Sequence, residues 1–411
     1  MAGPLAGLRV IDMTRVVAGP LASQTLADLG ADVVKVERLG AGEDLRAQGP
    51  PWLPDGAGRP SGEATYFQAV NRGKRSLQLD IARPEGAAIL RRLAERADVL
   101  LENFRTGTLS RYGLGYADLA AINKRLIYCS ITGFGQTGPY ATQSGYDLLV
   151  QAMGGMMEAT GEPDGVPGGG PMRVGIPLAD YASGQNAVIA ILAALRHRDA
   201  SGPDQGRGQH IDIALFDSQF AMLLNHTAAW LNGGQHIPRS GNDHPTAVPY
   251  GVFAAADGHL LIATFNDREF VALAGALGHP EWSTDQRFAR SRDRVAHRAE
   301  IKAALGDAVA ALDRADVIAR LHAARVSAGP INAIRDLEHN PQLEARGMML
   351  SLQRSDGRIV RLAGSPLKLS ETPIDPVRAP PCAGEHTDEI LREWAGYDAA
   401  AIEAARNEHI I

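Results

Sequence analysis

Short β-branched runs alternate with helical patterns along the first third of this chain, and few folds accept that order. Leu8-Arg9-Val10-Ile11-Asp12 reads as a strand, Pro20 to Leu29 as a helix opened by proline, and Ala31 to Glu37 as a second strand. Ser76 to Asp80 and Asp98 to Leu101 continue the series, with a helix from Pro84 to Ala97 between them. Arg125 to Ile131 is a further strand, ending in Thr132-Gly133-Phe134-Gly135. Successive strands separated by helices need crossover connections, and crossovers build parallel sheets wrapped by helices. The predicted class is therefore α/β, with a Rossmann-like doubly wound large domain. In such sheets ligands sit outside the carboxyl ends of the strands, here near Asp12-Met13-Thr14, Glu37-Arg38 and Asn103-Phe104-Arg105.

The 411 residues suffice for two or three cores. A polar, glycine-rich run from Ala200 to Gly208 closes the first segment, so residues 1–200 form the N-terminal part of the large domain. Residues 201–232 supply a linking strand (His210 to Leu215) and a long helix to about Leu231. Residues 233–330 read as a smaller α/β domain, with strands at Gly251 to Phe253 and His259 to Ala263. Residues 331–411 carry two β-like runs, Met349 to Leu352 and Arg358 to Leu362, then two helices; this return would complete the large domain.

Hydrophobic content of 45% with 21% charged residues is globular composition, and a net charge of −6 without basic blocks argues against nucleic acid or an anionic membrane as partner. The N-terminus lacks a basic region followed by an apolar one, the most apolar window (Ala187 to Leu195) is too short to cross a bilayer, and Cys129 and Cys382 lack metal-ligand spacing. A cytoplasmic protein with reduced thiols and no bound metal is expected.

The nucleotide motifs fail one by one. Glu37 ends the second strand as a ribose-binding acid would, but Thr14-Arg15-Val16-Val17-Ala18-Gly19-Pro20 is no G-x-G-x-x-G, and Pro20 removes an amide a pyrophosphate would use. P-loop, zinc and G-x-S-x-G patterns are absent too. The glycines of Gly165 to Pro171 lack the lysine of a phosphate cradle. His244 fits a hydrogen-bonded turn better than catalysis. Asp180 is different: it is the only acid between Asp164 and Asp199, beside an apolar helical stretch from Gln185 to Leu195. At or near the first turn of that helix it can serve as a cap or as a nucleophile in an apolar-walled pocket.

Read together, several pieces carry a resemblance. Leu5 to Asp12 runs into Thr14 to Pro20, then Leu29-Gly30-Ala31-Asp32-Val33-Val34-Lys35-Val36-Glu37, Asn71-Arg72-Gly73-Lys74-Arg75-Ser76 and Glu102-Asn103-Phe104-Arg105. Gly133-Phe134-Gly135-Gln136-Thr137-Gly138-Pro139, Gly145-Tyr146-Asp147, Pro177-Leu178-Ala179-Asp180, Arg239 to Pro245 and Gly384-Glu385-His386-Thr387 follow. This ordered set resembles the class III CoA-transferases of the CaiB/BaiF family, of the formyl-CoA transferase kind, over essentially the whole chain.

The resemblance implies a large domain built from both chain ends, a small middle domain, and an interlocked homodimer. It implies Asp180 as nucleophile and CoA contacts at Val17, Ala18, Arg38, Leu79, Asn103, Phe104, Arg105 and Arg111, with Tyr146 and Asp147 at the reactive end. The reaction would pass CoA from an acyl-CoA donor to a carboxylic acid acceptor through an aspartyl anhydride and an aspartyl-CoA thioester. CoA thioester is then a substrate, and no tightly bound cofactor is required. Val17 stands where formyl-CoA transferase has glutamine, and the multi-glycine loop has no equivalent here, which points away from formyl/oxalate exchange. Relatives with these Thr-Arg-Val and Gly-Tyr-Asp signatures often use succinyl-CoA, and a dicarboxylate's second carboxylate would call for Arg15, Arg46 or Arg173. The alternatives are a 2-methylacyl-CoA racemase, in which a histidine stands where this chain has Tyr146, and a CoA-binding protein in which Asp180 only caps.

Overall fold

A computed structural model describes residues 3–374 and 378–411. The chain divides into two units, one of residues 1–156, 174–224 and 341–411, the other of 157–173 and 225–340.

The first unit holds six parallel strands: β1 (Arg9–Asp12), β2 (Asp32–Glu37), β3 (Arg75–Gln78), β4 (Val99–Glu102), β5 (Ile127–Thr132) and β6 (His210–Ala214). Their spatial order is β3-β2-β1-β4-β5-β6, the doubly wound arrangement predicted. The flanking helices include α1 (Ala18–Asp28), α2 (Pro84–Ala94), α3 (Tyr116–Ile122), α4 (Asp147–Met153), α5 (Leu178–Ala200) and α6 (Leu215–Met222). Strand side chains alternate between two cores. Val10, Val33, Val99 and Leu101 face α1 and α5, while Ile11, Val34, Leu77 and Leu100 face α2 and the C-terminal residues Ile390, Trp394 and Ile402. Burial on both faces explains why the central strands β1, β4 and β5 read as apolar runs and not as alternating ones.

Two expectations need correction. The long helix expected to reach Leu231 is two, Leu215–Met222 and Leu224–Gly233, the second opening on Leu224 at φ +35°. The apolar helix is also longer than its uncharged window suggested. It runs 23 residues and is long and apolar enough, by length and composition, to cross a membrane. It is nonetheless a core helix of this unit, packed on β5, β6, α1 and α6 with Ala179, Ala187, Ile191 and Leu195 buried. At Gly184 a Cβ would come within 2.6 Å of the Ala18 carbonyl oxygen, so only glycine lets α1 and α5 approach this closely.

The second unit is built on an antiparallel sheet of β7 (Tyr250–Ala255), β8 (Gly258–Ala263) and β9 (Ser327–Pro330), in the order β9-β8-β7. Leu260, Ile262, Phe270, Leu305 and Leu321 form its core. Residues 157–173 belong here and not with residues 1–200 as the sequence suggested. Buried Arg239 holds them through the Glu158 and Asp164 carboxylates and the Glu162 carbonyl. His244 is the turn histidine expected, its Nδ1 accepting from the Thr246 and Ala247 amides.

Candidate active site

Strand order reverses at β1, which has β2 on one side and β4 on the other. The connections leave in opposite directions there and open a crevice at the carboxyl ends of β1 and β4. The loop leaving β1 is held almost atom by atom. Asp12 Oδ1 accepts from the Thr14 amide at 2.9 Å, and Lys35 Nζ donates to the Thr14 carbonyl at 3.0 Å. The Asn103 side chain takes both sides of Arg15, its Oδ1 accepting from the amide at 2.9 Å and its Nδ2 donating to the carbonyl at 2.7 Å. Glu43 Oε1 accepts from the Val16 amide at 2.9 Å. Within this clamp Val16 sits at φ +67°, a conformation that costs a β-branched residue of order 1–3 kcal/mol and persists only where its surroundings impose it.

Buried charge lies beneath the loop. Lys74 Nζ donates to Asp12 Oδ2 at 2.9 Å, and Lys35 approaches Asp12 at 3.9 Å and Glu43 at 3.8 Å. Burial alone would raise the Asp12 pKa; the Lys74 and Lys35 ammoniums, with hydrogen bonds from Ser23 and Thr14, outweigh it and hold the carboxyl well below its usual range. Burial lowers Lys74 to about 8 against the opposing pull of Asp12.

Two cavities flank the loop. One, of about 220 Å³, is lined by Arg38, Leu79, Ile81, Phe104 and Tyr112. The other, of about 200 Å³, is lined by Ala18, Asn103, Arg105, Gly145, Tyr146 and Asp180. Arg15 and Phe104 line both. Close packing of Gly133 on Gly145 shapes the second: a Cβ on Gly133 would lie 2.5 Å from the Gly145 Cα.

Asp180 is the third residue of α5. The capping of this helix is done by another residue, because Asp147 Oδ1 accepts from the Ala179 amide at 2.7 Å and more weakly from the Asp180 amide at 3.3 Å. Gln151 steadies Asp147 with a 2.6 Å bond to its other oxygen. Relieved of capping, the Asp180 carboxylate has no hydrogen-bond or ion-pair partner among the described residues. Burial, helped by repulsion from Asp147, pushes its pKa up to about 7. It is a desolvated carboxylate aimed into a cavity, poised to ionise near neutrality.

The structure thus brings Arg15, Ala18, Asn103, Phe104, Arg105, Tyr146 and Asp180 to one cavity and Arg38, Leu79 and Phe104 to its neighbour. Val17 is buried next to them as the N-cap of α1. Asp147 stands behind Asp180 as its support. Arg111 is exposed and lines neither cavity, and Arg173 belongs to the second unit. Arg46 is a structural residue: it grips Glu37 at 2.7 and 2.8 Å and also binds Glu63, which leaves no donor pair for a substrate. That same pairing explains Glu37, whose carboxylate is spent internally on Arg46, Ser76 and the Glu43 amide.

Sequence reading missed Glu43, Asp44 and Tyr66. Glu43 holds the Val16 amide, and Asp44 lies between Arg15 and Arg38. Tyr66 stands near enough to Asp180 and Asp147 that, after burial, their charges raise its pKa further. A signal for the first existed in Lys35, a lysine inside an apolar strand that had to find buried carboxylates.

A doubly wound sheet with paired cavities at its switch point, and in one of them a carboxylate without a partner among the described residues, defines an α/β protein with a ligand-sized crevice at its strand ends. Comparison with known proteins makes this specific. The profile of CoA-transferase family III matches residues 5–387. The succinate–glutarate CoA-transferase of Agrobacterium fabrum is 45% identical over 390 residues, 95% of each chain. The succinyl-CoA:mesaconate CoA-transferase of Haloarcula hispanica is 39% identical, covering 95% of this chain and 96% of its own. Among solved structures, a CaiB/BaiF family protein from Brucella suis superposes with a TM-score of 0.85 at 43% identity, over 96% of this chain and 100% of that one. The chain belongs to CoA-transferase family III.

Proposed function

We propose that this enzyme moves CoA from succinyl-CoA to a dicarboxylic acid, with Asp180 as the nucleophile. The observation that carries the reading is the Asp180 carboxylate itself, freed of capping by Asp147 and left in a small cavity without a partner among the described residues. Moving CoA between acids must preserve the free energy of the thioester, and a carboxylate nucleophile does so because the anhydride it forms is at least as activated. The Asp180 carboxylate attacks the succinyl carbonyl and CoA leaves as thiolate. That thiolate attacks the aspartyl carbonyl, succinate departs, and Asp180 becomes a CoA thioester. The acceptor's carboxylate attacks the thioester, the thiolate leaves again, and its attack on the acceptor's carbonyl releases the new acyl-CoA and regenerates Asp180. No net proton is taken up or lost.

The first amides of α1, unsatisfied by helix geometry, are the best placed donors for the oxyanions, since Ala18 lines the Asp180 cavity. The CoA body would lie along the apolar cavity of Leu79 and Phe104 beside Arg38, with its thiol passing Arg15 to reach Asp180. CoA enters as substrate, and no resident cofactor is needed. The racemase alternative asks for an acid/base pair, and none of the described residues lining the Asp180 cavity is a histidine. We further read the enzyme as a cytoplasmic, interlocked homodimer. Leu148, Leu149 and Ile189, exposed on α4 and α5, suit burial in a partner.

The test is exchange of labelled succinate into succinyl-CoA, with capture of the aspartyl-CoA adduct by mass spectrometry after acid quench. Asp180→Asn is expected to abolish both exchange and adduct. Full exchange by that variant would eliminate the mechanism.

A further inference from the structure

We propose that Arg15 receives the non-reacting carboxylate of the dicarboxylic acceptor and so sets acid specificity. The inference rests on the transferase reading above. Arg15 lines the same cavity as Asp180. With both its amide and its carbonyl held by Asn103, the side chain departs from a fixed point. The guanidinium leans on the Phe104 ring at 4.8 Å, and its Nε is shielded from solvent without a hydrogen-bond partner. Its ion pair with Asp44 is long, 3.4 Å, whereas Arg38 holds the same carboxylate at 2.9 Å. Asp44 can therefore stay with Arg38 while Arg15 turns to an incoming acid. A guanidinium with one edge unspent matches the two oxygens of a carboxylate.

Size agrees: the cavity, of about 200 Å³, has room for a short diacid. Of the other arginines, Arg46 is consumed by Glu37 and Glu63. Arg105 shares the cavity and serves as the control in the experiment below.

The experiment compares glutarate with valerate as acceptors, succinyl-CoA being the donor for both. In a two-stage reaction the acceptor's kcat/KM is independent of the donor, so any effect of Arg15 on succinyl-CoA drops out. Arg15→Gln is expected to lower kcat/KM for glutarate about 100-fold while leaving valerate within about threefold, with Arg15→Lys in between. Equal losses for both acids, or a collapse of the glutarate preference in Arg105→Gln but not in Arg15→Gln, would overturn the assignment. If Arg15→Gln does not fold, the Lys variant carries the same comparison. Wild-type transfer with the preference intact in both Arg15 variants sinks this proposal alone; a wild type that transfers CoA to no acid sinks the transferase reading and this proposal with it.

Discussion

Replacing Asp180 by asparagine is expected to stabilise the protein while silencing it, and the gain is expected to depend on pH. The Asp180 carboxyl is pushed up to about 7 from its ordinary 3.8 by burial and by Asp147. Since the folded pKa lies above the unfolded one, the native state keeps its proton longer. The cost of ionisation is absent below pH 3.8, grows across the interval and is complete above about 7, where it reaches about 4 kcal/mol. Asparagine keeps the shape and never ionises. Between pH of about 5.5 and about 8.5 the advantage of Asp180→Asn is therefore expected to widen by about 2 kcal/mol. For a unit of this size that corresponds to about 4 °C in Tm. Thermal melts of both proteins at the two pH values, at one ionic strength and without CoA, measure the difference directly, since shifts common to both cancel. A gap that stays constant with pH, or an asparagine variant that melts lower at the alkaline value, would falsify the claim that Asp180 is a carboxylate held against its own solvation.

Four further outcomes follow from the same geometry. Asp147→Asn keeps an acceptor for the Ala179 amide but removes the repulsion, so the acid limb of the pH–rate profile is expected to move to lower pH; an unmoved limb would deny the coupling. Asn103→Ala removes both bonds to the Arg15 backbone and should cost about 1–3 kcal/mol in urea denaturation, with a larger loss in kcat/KM for glutarate than for valerate. Arg46→Met strands the buried Glu37 carboxylate and is expected to cost about 3–5 kcal/mol without changing the ratio between acids, the reverse of Arg15→Gln. Gly184→Ala drives a methyl into the Ala18 carbonyl at 2.6 Å, so a loss of about 1–3 kcal/mol together with reduced turnover is expected; wild-type behaviour would mean that α1 and α5 have slack.

Strands of the large sheet such as β4 and β5 were legible because each is a short apolar run bounded by turn residues, and period and length suffice to recognise such a run. Its crevice was legible for the same reason, since doubly wound topology dictates where ligands go. Asp180 stood out by charge isolation. The arginines did not sort themselves, because Arg15, Arg46 and Arg173 look alike until their carboxylate partners are known. Arg46 proved to be spent on Glu37 and Glu63, contacts that join separate turns of the chain and a neighbouring hairpin. The membership of residues 157–173 was hidden too, as it depends on Arg239, far along the chain.

What the sequence determined by itself was the alternation that yields a parallel sheet, the family pattern, and a lone acid at a helix start. Those are local facts, written in residue type and spacing. Tertiary structure decided the division of labour between two aspartates, because Asp147 and Asp180 lie 33 positions apart and meet only once α4 and α5 have packed. By taking the helix amides, Asp147 leaves Asp180 without a partner among the described residues, and its repulsion adds to burial in lifting the pKa towards neutrality. Spacing cannot reveal that exchange, since hydrogen bonds and desolvation are properties of atoms brought together in space.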